Sequence, residues 1–346
     1  MPNIKWLLMA ASTIMTLSVI PAISSQPNTS PETQDLNTEI TPETSKEYIS
    51  TTLDLKTKPR VALALGGGGC KCVAEIGVLR ILEANKIPID YIIGTSTGAT
   101  IGAMYASGMS VNEIEKLYCD GIVQNAMLPR LAPRIIMLPF AQLERNITDK
   151  GYAGLTNGDR FDTYLSKTLP AHFSDLKIPF SSVSTDLISG QTVVYSQGYL
   201  PIAVQASNSL PPIYKPVAID GKLLVDGALR ANVPAKWARN SGADVVIAVD
   251  VDPKVKSEEA KKFANMKNLL IRVSDISLAE LDLREGGEAD ILIKPNTIGV
   301  EIMTDNKSLL EKTIKNGEEA TIKALPQIMS TLREHGIAAN PNQQQQ

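Results

Sequence analysis

The sequence predicts an α/β fold of three layers, in which helices cover both faces of a mostly parallel central sheet. Short apolar runs such as Val61–Leu65 and Val245–Val251 have the continuous hydrophobicity of strands that are buried on both faces. Segments with a helical pattern alternate with these runs along the chain. Alternation of strand and helix is typical of a parallel sheet, because each crossover helix packs back onto the sheet.

The first predicted strand, Val61–Leu65, ends at four consecutive glycines, and a helix follows over Ala74–Asn85. The second strand, Tyr91–Ile93, ends at a turn of small residues that leads into another helix. Further strands are predicted over Ile178–Thr185, Val193–Tyr195, Lys222–Val225, Val245–Val251, Leu269–Val273 and Ile291–Ile293. Further helices are predicted over residues 110–119, 156–169, 199–207, 234–241 and 306–335.

The composition places one domain at residues 59–335. Residues 1–24 combine one lysine, an apolar run and small residues before Ser25, which predicts a secretory signal peptide, with an uncleaved anchor as the alternative. Residues 25–58 are rich in Ser, Thr, Pro and acidic residues and predict a disordered linker. Residues 336–346 predict a polar tail. We therefore expect an exported protein, periplasmic or secreted, with possible membrane association.

Charge and cysteine content exclude several classes of protein. The chain has 34 Lys and Arg against 37 Asp and Glu, so it lacks the basic footprint of a nucleic-acid-binding protein. Cys70 and Cys72, with one distant cysteine and no nearby histidine, do not make a tetrahedral zinc site. Buried apolar cysteines are expected instead, and a disulfide that includes Cys119 stays open. The sequence predicts no metal and no cofactor, and it leaves the oligomeric state open.

The strongest chemical signal is Gly94-Thr95-Ser96-Thr97-Gly98, which matches the pattern G-x-S-x-G. An apolar strand precedes the motif and a helix of small residues follows it, as a nucleophile elbow requires. The serine must lie on a sharp, strained turn that exposes its hydroxyl group, and the flanking glycines let strand and helix approach closely. Ser96 is therefore the candidate nucleophile.

A serine nucleophile needs a base, which in most serine hydrolases is a histidine. The chain offers only His172, in a predicted connection, and His335, at the end of the last predicted helix. Both are expected at the surface, although a triad that includes His335 stays an alternative. Asp226 ends an apolar strand at a turn, where parallel sheets expose their functional groups. Asp226 is the candidate base.

Together these residues resemble the patatin-like phospholipases, a family of lipid acyl hydrolases with a Ser-Asp dyad. The resemblance covers about residues 58–332, and its segments agree with the family in order and spacing. They are Gly66–Gly69 with Lys71, Ile76–Leu79, Gly94–Gly98, Ala206–Pro211, Pro216-Val217, Asp226-Gly227, Asn232–Pro234, Gly242–Val246, Ile293–Pro295 and Gly317–Ala320. The last two segments resemble bacterial members in particular.

The resemblance implies a role for each matched residue. It implies Ser96 as nucleophile, Asp226 as base, backbone N–H groups of Gly67, Gly68 and Gly69 as oxyanion donors, and Gly94, Gly98 and Gly227 as motif glycines. Three positions depart from the family pattern: Cys72 and Ala228 replace glycines, and Glu75 replaces a histidine. A β-carbon at residue 72 is expected to strain a positive φ and to crowd the acyl pocket.

The sequence thus predicts a serine lipid acyl hydrolase of phospholipase A or lysophospholipase type, with lipid or phospholipid as substrate and a membrane surface as its possible location. Two alternatives remain. One is a lipid-binding or regulatory protein whose catalytic activity Cys72 has weakened, and the other is a thioesterase or acyltransferase that uses the same acyl-enzyme.

Residues 122–153 contain the apolar run Ile135–Phe140 between basic residues. They fit equally well a cover over the acyl pocket that docks on anionic lipid and a buried connection.

Overall fold

The computed structural model describes residues 60–127, 152–252, 255 and 257–339. The predicted signal peptide, the linker and residues 128–151 of the predicted cover lie outside the described residues. At the other end, packing continues past the predicted boundary at residue 335, because Ile337 and Ala339 lie against the hydrophobic core. Among the described residues, no helix is both long enough and apolar enough to span a bilayer.

Eight strands and nine α-helices make up the described part of the chain. The strands are β1 Val61–Leu65, β2 Tyr91–Thr95, β3 Phe180–Asp186, β4 Thr192–Tyr195, β5 Val217–Ile219, β6 Lys222–Asp226, β7 Val245–Val249 and β8 Ile291–Ile293. The helices are α1 Val73–Ala84, α2 Thr97–Ala106, α3 Val111–Cys119, α4 Ile122–Met127, α5 Asp159–Thr168, α6 Leu200–Ser207, α7 Ala235–Asn240, α8 Met266–Gly286 and α9 Lys307–Glu334. Short 3-10 turns occur at Gly69–Cys72, Phe173–Asp175, Gly227–Leu229 and Ala260–Ala264.

The strands form one sheet whose hydrogen-bonded pairs follow the path β5-β6-β3-β2-β1-β7-β8, and β4 also pairs with β3. Strands β1, β2, β3, β7 and β8 are parallel, whereas β4, β5 and β6 are antiparallel to their neighbours. The predicted mostly parallel sheet is therefore confirmed. All five parallel strands end at one edge of the sheet, which we call the carboxyl edge.

Both faces of the sheet are covered, as the continuous apolar strands predict. In β1, Val61, Leu63 and Leu65 belong to one hydrophobic cluster, and Ala62 and Ala64 belong to a second cluster on the opposite face. Helices α1 and α9 pack against each other and contribute to the first cluster, whereas α7 contributes to the second. The sheet thus lies in the middle of three layers.

One predicted strand is wrong. Leu269–Val273 lies inside helix α8, and the side chains of Leu269 and Val273 are both 40% exposed. A short apolar run cannot be assigned to strand or helix by periodicity alone. The strand that precedes this run in the chain, β7, already pairs with β1 on one side and β8 on the other. Strand β5, which pairs with β6, was not predicted, because only three residues form it.

Candidate active site

Ser96 lies on a sharp turn between β2 and α2 with φ +53° and ψ −126°, a conformation that costs a non-glycine residue about 1–3 kcal/mol. The turn brings α2 very close to neighbouring backbone. A β-carbon on Gly98 would lie 2.4 Å from the carbonyl oxygen of Gly66, and one on Gly94 would lie 2.6 Å from Cα of Ala99. The predicted close approach at both glycines is therefore confirmed.

Strand register places Asp226 beside this turn. Strands β2 and β4 both pair with Ser182 and Val183, so they lie on opposite sides of β3. Strands β4 and β6 both pair with Ser184, so β6 continues on the side that β2 occupied. Asp226 is opposite Ser184, one residue beyond the last partner of β2. The end of β6 thus meets the end of β2, where Ser96 lies.

The two side chains form a direct hydrogen bond. Ser96 Oγ donates to Asp226 Oδ2 at 2.7 Å, and the N–H of Ala228 donates to Asp226 Oδ1 at 2.9 Å. Burial raises the pKa of Asp226 to about 6, although the bonds from Ala228 and Ser96 oppose that rise. A carboxylate with this pKa is still ionised at neutral pH and is a stronger base than an exposed aspartate, so the pair is suited to accept a proton from serine.

The glycine loop, Gly66–Gly69, follows β1 and lies next to Ser96. One of its predicted oxyanion donors is corrected: the N–H of Gly67 donates to the carbonyl oxygen of Asn232 at 3.0 Å and is not free. Among the described residues, no acceptor receives a hydrogen bond from the N–H groups of Gly68 and Gly69. Gly69 has φ +60°, and a β-carbon there would lie 2.3 Å from the carbonyl oxygen of Ile302.

A polar network supports the glycine loop, and its members were not assigned this role from the sequence. Lys71 Nζ lies 2.6 Å from Asp252 Oδ1. Asn232 Nδ2 donates to Asp252 at 3.2 Å and to Asp282 at 3.0 Å. Asn232 therefore connects the loop, through its main-chain carbonyl, to Asp252, which also holds Lys71, and to Asp282. Among the described residues, no group of three or more His, Cys, Asp or Glu side chains is arranged to hold a metal ion.

The last residue of α6 and a residue just after the helix hold both members of the pair. The N–H of Ser96 donates to Ser207 Oγ at 2.8 Å, and the Ser207 hydroxyl donates in turn to the carbonyl oxygen of Val183. The N–H of Asp226 donates to the carbonyl oxygen of Ser209 at 3.1 Å. The sequence signal for these residues was the segment Ala206–Pro211, which matched the family without indicating what its serines do.

The expectation that Cys72 disturbs the loop is wrong. Its φ is −64°, so a β-carbon causes no strain there. The side chain is fully buried, and Sγ donates to the carbonyl oxygen of Gly66 at 3.3 Å. The thiol therefore packs against the main chain of the glycine loop at Gly66. Cys70 and Cys119 are also buried and all three cysteines are free thiols, as expected for buried apolar residues.

Glu75, where the family often has histidine, lies near the N–H of Gly66 in the glycine loop. It is fully buried, and neither carboxyl oxygen has a hydrogen-bond partner. Burial raises its pKa well above the ordinary value, and the nearby N–H of Gly66 offsets this only in part. Burial without a geometric hydrogen-bond partner therefore favours the neutral form of this carboxyl group.

Neither histidine accompanies the Ser96–Asp226 pair. Both are exposed. His172 Nδ1 contacts the carbonyl oxygen of Gly198, and His335 Nδ1 contacts the carbonyl oxygen of Thr331. The main-chain carbonyl of His335 accepts from Arg60, which precedes β1, so His335 lies at the edge of the sheet opposite to Ser96. A triad built on His335 is therefore excluded by its position.

The remaining motif glycine, Gly227, and its neighbour Ala228 lie against the pair. A β-carbon on Gly227 would lie 2.4 Å from the carbonyl oxygen of Val183, so this glycine is needed for close contact with β3. Ala228 differs from the family pattern but still supplies the N–H that binds Asp226. The replacement of glycine by alanine at this position therefore leaves the hydrogen bond to the candidate base in place.

The region that contains this site is similar to known proteins. The family model of the patatin-like phospholipases matches residues 63–239, more than half of the chain. The chain is 30% identical over 229 residues to an uncharacterized NTE family protein of Mycobacterium tuberculosis. It is 34% identical over 198 residues to patatin-like phospholipase domain-containing protein 7 of Rattus norvegicus.

These relatives are longer than the matched region. The alignment covers 63% of this chain and 59% of the mycobacterial protein, and 55% of this chain and 13% of the rat protein. Among solved structures, VipD of Legionella pneumophila is 16% identical with a TM-score of 0.44, and the alignment covers 80% of this chain and 67% of that one.

Proposed function

This chain belongs to the patatin-like phospholipase family, and we propose that it is a serine lipid acyl hydrolase of phospholipase A or lysophospholipase type. The observation that carries this proposal is the 2.7 Å hydrogen bond from Ser96 Oγ to Asp226 Oδ2 at a strained turn. Lipid or phospholipid esters are the proposed substrates. Export to the periplasm or the outside of the cell is proposed from residues 1–24 alone.

In the proposed reaction, Asp226 accepts the proton of Ser96 as Oγ attacks the ester carbonyl carbon. The carbonyl oxygen becomes an oxyanion, which the N–H groups of Gly68 and Gly69 bind. The C–O bond to the alcohol then breaks, and the alcohol leaves with the proton from Asp226. Water then attacks the acyl carbon while Asp226 accepts its proton. The bond to Ser96 Oγ breaks, the fatty acid leaves, and the proton on Asp226 returns to Oγ. Losing one oxyanion donor of this kind typically costs about 10²–10³ in rate.

The second candidate, a regulatory lipid-binding protein without turnover, rested on Cys72. That cysteine has an ordinary φ, and its buried Sγ donates to the carbonyl oxygen of Gly66. The main reason to expect a damaged oxyanion site is therefore absent. A thioesterase or acyltransferase would use the same acyl-enzyme, and it differs from the proposed activity only in the substrate or in the final acceptor.

The test is fatty-acid release from mixed phospholipid micelles by the wild type, by Ser96→Ala and by a control, Ser174→Ala. Ser174 is exposed in the connection before β3, at the edge opposite to Ser96. Wild type and control should release fatty acid and react with a fluorophosphonate, and Ser96→Ala should do neither. Labelling of Ser96→Ala at another serine would contradict the assignment. Folded wild type that releases nothing would favour the lipid-binding alternative.

A further inference from the structure

The main-chain groups of Ser96 are held from two directions. Its carbonyl oxygen accepts hydrogen bonds from the following helix, from the N–H of Ala99 at 2.9 Å and from the N–H of Thr100 at 3.2 Å. Its N–H donates to Ser207 Oγ at 2.8 Å, and Ser207 is the last residue of α6, 111 residues further along the chain. One side of the strained turn therefore depends on its own helix, and the other side depends on a distant hydroxyl group.

The pairing of β2 with β3 directs the N–H of Ser96 toward the carbonyl oxygen of Val183. Ile92 is paired with Phe180 and donates to the carbonyl oxygen of the residue before it, Pro179, at 2.9 Å. Because every second residue of a strand repeats this pattern, residue 94 donates to residue 181 and residue 96 to residue 183. The next hydrogen bond of this ladder would therefore join Ser96 and Val183 directly.

The hydroxyl group of Ser207 bonds to both of these main-chain groups. It accepts from the N–H of Ser96 at 2.8 Å and donates to the carbonyl oxygen of Val183 at 2.5 Å. The side chain of Ser207 is fully buried, so water does not compete for either bond. One hydroxyl group thus satisfies the donor and the acceptor at the end of the β2–β3 ladder, where β2 ends at Thr95.

We infer that Ser207 is a positioning residue, whose hydroxyl bridges the end of the β2–β3 ladder and so holds Ser96 at positive φ. The inference rests on the proposed function, because it concerns how the nucleophile is presented to an ester. A direct bond between the strands would extend β2 through Ser96 and draw this residue toward extended backbone, which has negative φ. A hydroxyl bridge spans more distance than one direct bond, so the turn can direct Ser96 Oγ to Asp226.

Removal of the bridge should slow the reaction without weakening substrate binding. In Ser207→Ala, the N–H of Ser96 and the carbonyl oxygen of Val183 lose their partner, and a direct bond between them would satisfy both. That bond draws Ser96 away from its reactive geometry, and a misplacement of about 1 Å costs about 10²-fold in rate. We expect kcat to fall about 10–10²-fold and KM to stay within about threefold, because a buried hydroxyl does not contact substrate.

The test compares Ser207→Ala with a matched control, Ser182→Ala. Ser182 in β3 is also fully buried, and its hydroxyl donates to the carbonyl oxygen of Ala203 in α6 at 3.0 Å. Each variant therefore removes one buried hydroxyl that links β3 to α6, but of the two only Ser207 bonds to Ser96. Ser207→Cys is a second variant, because a thiol fills the site and is a weaker hydrogen-bonding group. Thermal melting verifies that each variant is folded.

The first measurement is the maximal rate of fluorophosphonate labelling at Ser96, which needs no lipid. We expect it to fall about tenfold or more in Ser207→Ala, and to stay within about threefold of wild type in Ser182→Ala. A smaller loss in Ser207→Ala, or equal losses in the two alanine variants, would overturn the inference. If Ser207→Ala does not fold, Ser207→Cys replaces it: a loss of severalfold supports the inference, and labelling at the wild-type rate overturns it.

Failure of the proposed function would give a different result. Wild type that is labelled but releases no fatty acid would contradict lipid hydrolysis, and the labelling rates would still decide the role of Ser207. If wild type is not labelled either, crystal structures of wild type and Ser207→Ala decide it. The inference then requires Ser96 to leave positive φ in the variant, and an unchanged φ would overturn it.

Discussion

Two buried carboxyl groups lie close to the glycine loop, and they differ in their partners. Asp226 has both oxygens hydrogen-bonded, one by Ser96 and one by the N–H of Ala228. Glu75 has neither oxygen hydrogen-bonded. Burial raises the pKa of both groups, to about 6 for Asp226 and well above the ordinary value for Glu75. Burial favours the neutral form of a carboxyl group, and hydrogen bonds from donors such as those to Asp226 favour the ionised form that can act as a base.

The largest effect should come from Asp226→Asn, which keeps the shape of the side chain but cannot accept the serine proton. We expect kcat/KM for ester hydrolysis to fall by about 10⁴, the upper end of what general acid–base catalysis typically contributes. Thermal melting should stay the same or rise, because an uncharged amide replaces a buried carboxylate. A variant that retains a tenth of the wild-type rate would show that Asp226 is not the base.

Gly69→Ala should have the next largest effect. The added β-carbon meets the carbonyl oxygen of Ile302 at 2.3 Å and occupies a residue with φ +60°, so the loop must shift. A shift misplaces the proposed oxyanion donors, and we expect kcat to fall by about 10²–10³ with little change in KM. Gly190→Ala is the control, because Gly190 also has positive φ but nothing lies near its missing β-carbon. Equal losses in both variants would contradict the oxyanion role.

The pH profile should reflect Asp226. Because the proposed base must be ionised, kcat/KM should be constant above the pKa of about 6 and fall about tenfold for each pH unit below it. Initial rates with a soluble uncharged ester measure this without lipid titration. A profile that stays flat down to pH 4.5 would indicate that Asp226 is not the titrating base.

Glu75→Gln should change activity by less than about threefold, because the carboxyl group makes no hydrogen bond to Ser96 or Asp226 and glutamine keeps its shape. Its effect should be on stability. The folded protein holds a proton on Glu75 that the unfolded chain releases near the ordinary pKa, so this group stabilises the fold at low pH and its contribution is lost as pH rises. The variant should therefore melt a few degrees higher than wild type at pH 8 and not at pH 4.5. A loss of activity above a hundredfold would place Glu75 in the reaction.

The smallest effect should come from His335→Ala. The side chain is exposed at the edge of the sheet opposite to Ser96, so it cannot take part in proton transfer. We expect kcat/KM to stay within about twofold of wild type. A loss of several orders of magnitude would support a serine triad in place of the dyad.

The sequence alone determined the fold class and the two candidate reacting residues. Continuous apolar runs reveal strands buried on both faces, and G-x-S-x-G between a strand and a helix requires one specific turn. Local pattern is sufficient for such features, because strand, turn and glycine are consecutive in the chain. The local pattern predicted a strand at Leu269–Val273, where the structure has a helix, because a short apolar run fits either element equally well.

Only the tertiary structure decided which partners each group has. The pairing of β6 with β3 brings Asp226 to Ser96 across 130 residues of sequence, and it leaves His335 at the far edge. The carbonyl of Asn232 occupies the N–H of Gly67, the negative φ of Cys72 removes an expected strain, and Glu75 lies buried without a donor. Hydrogen bonding and burial depend on residues far apart in the chain, so no local pattern could predict them.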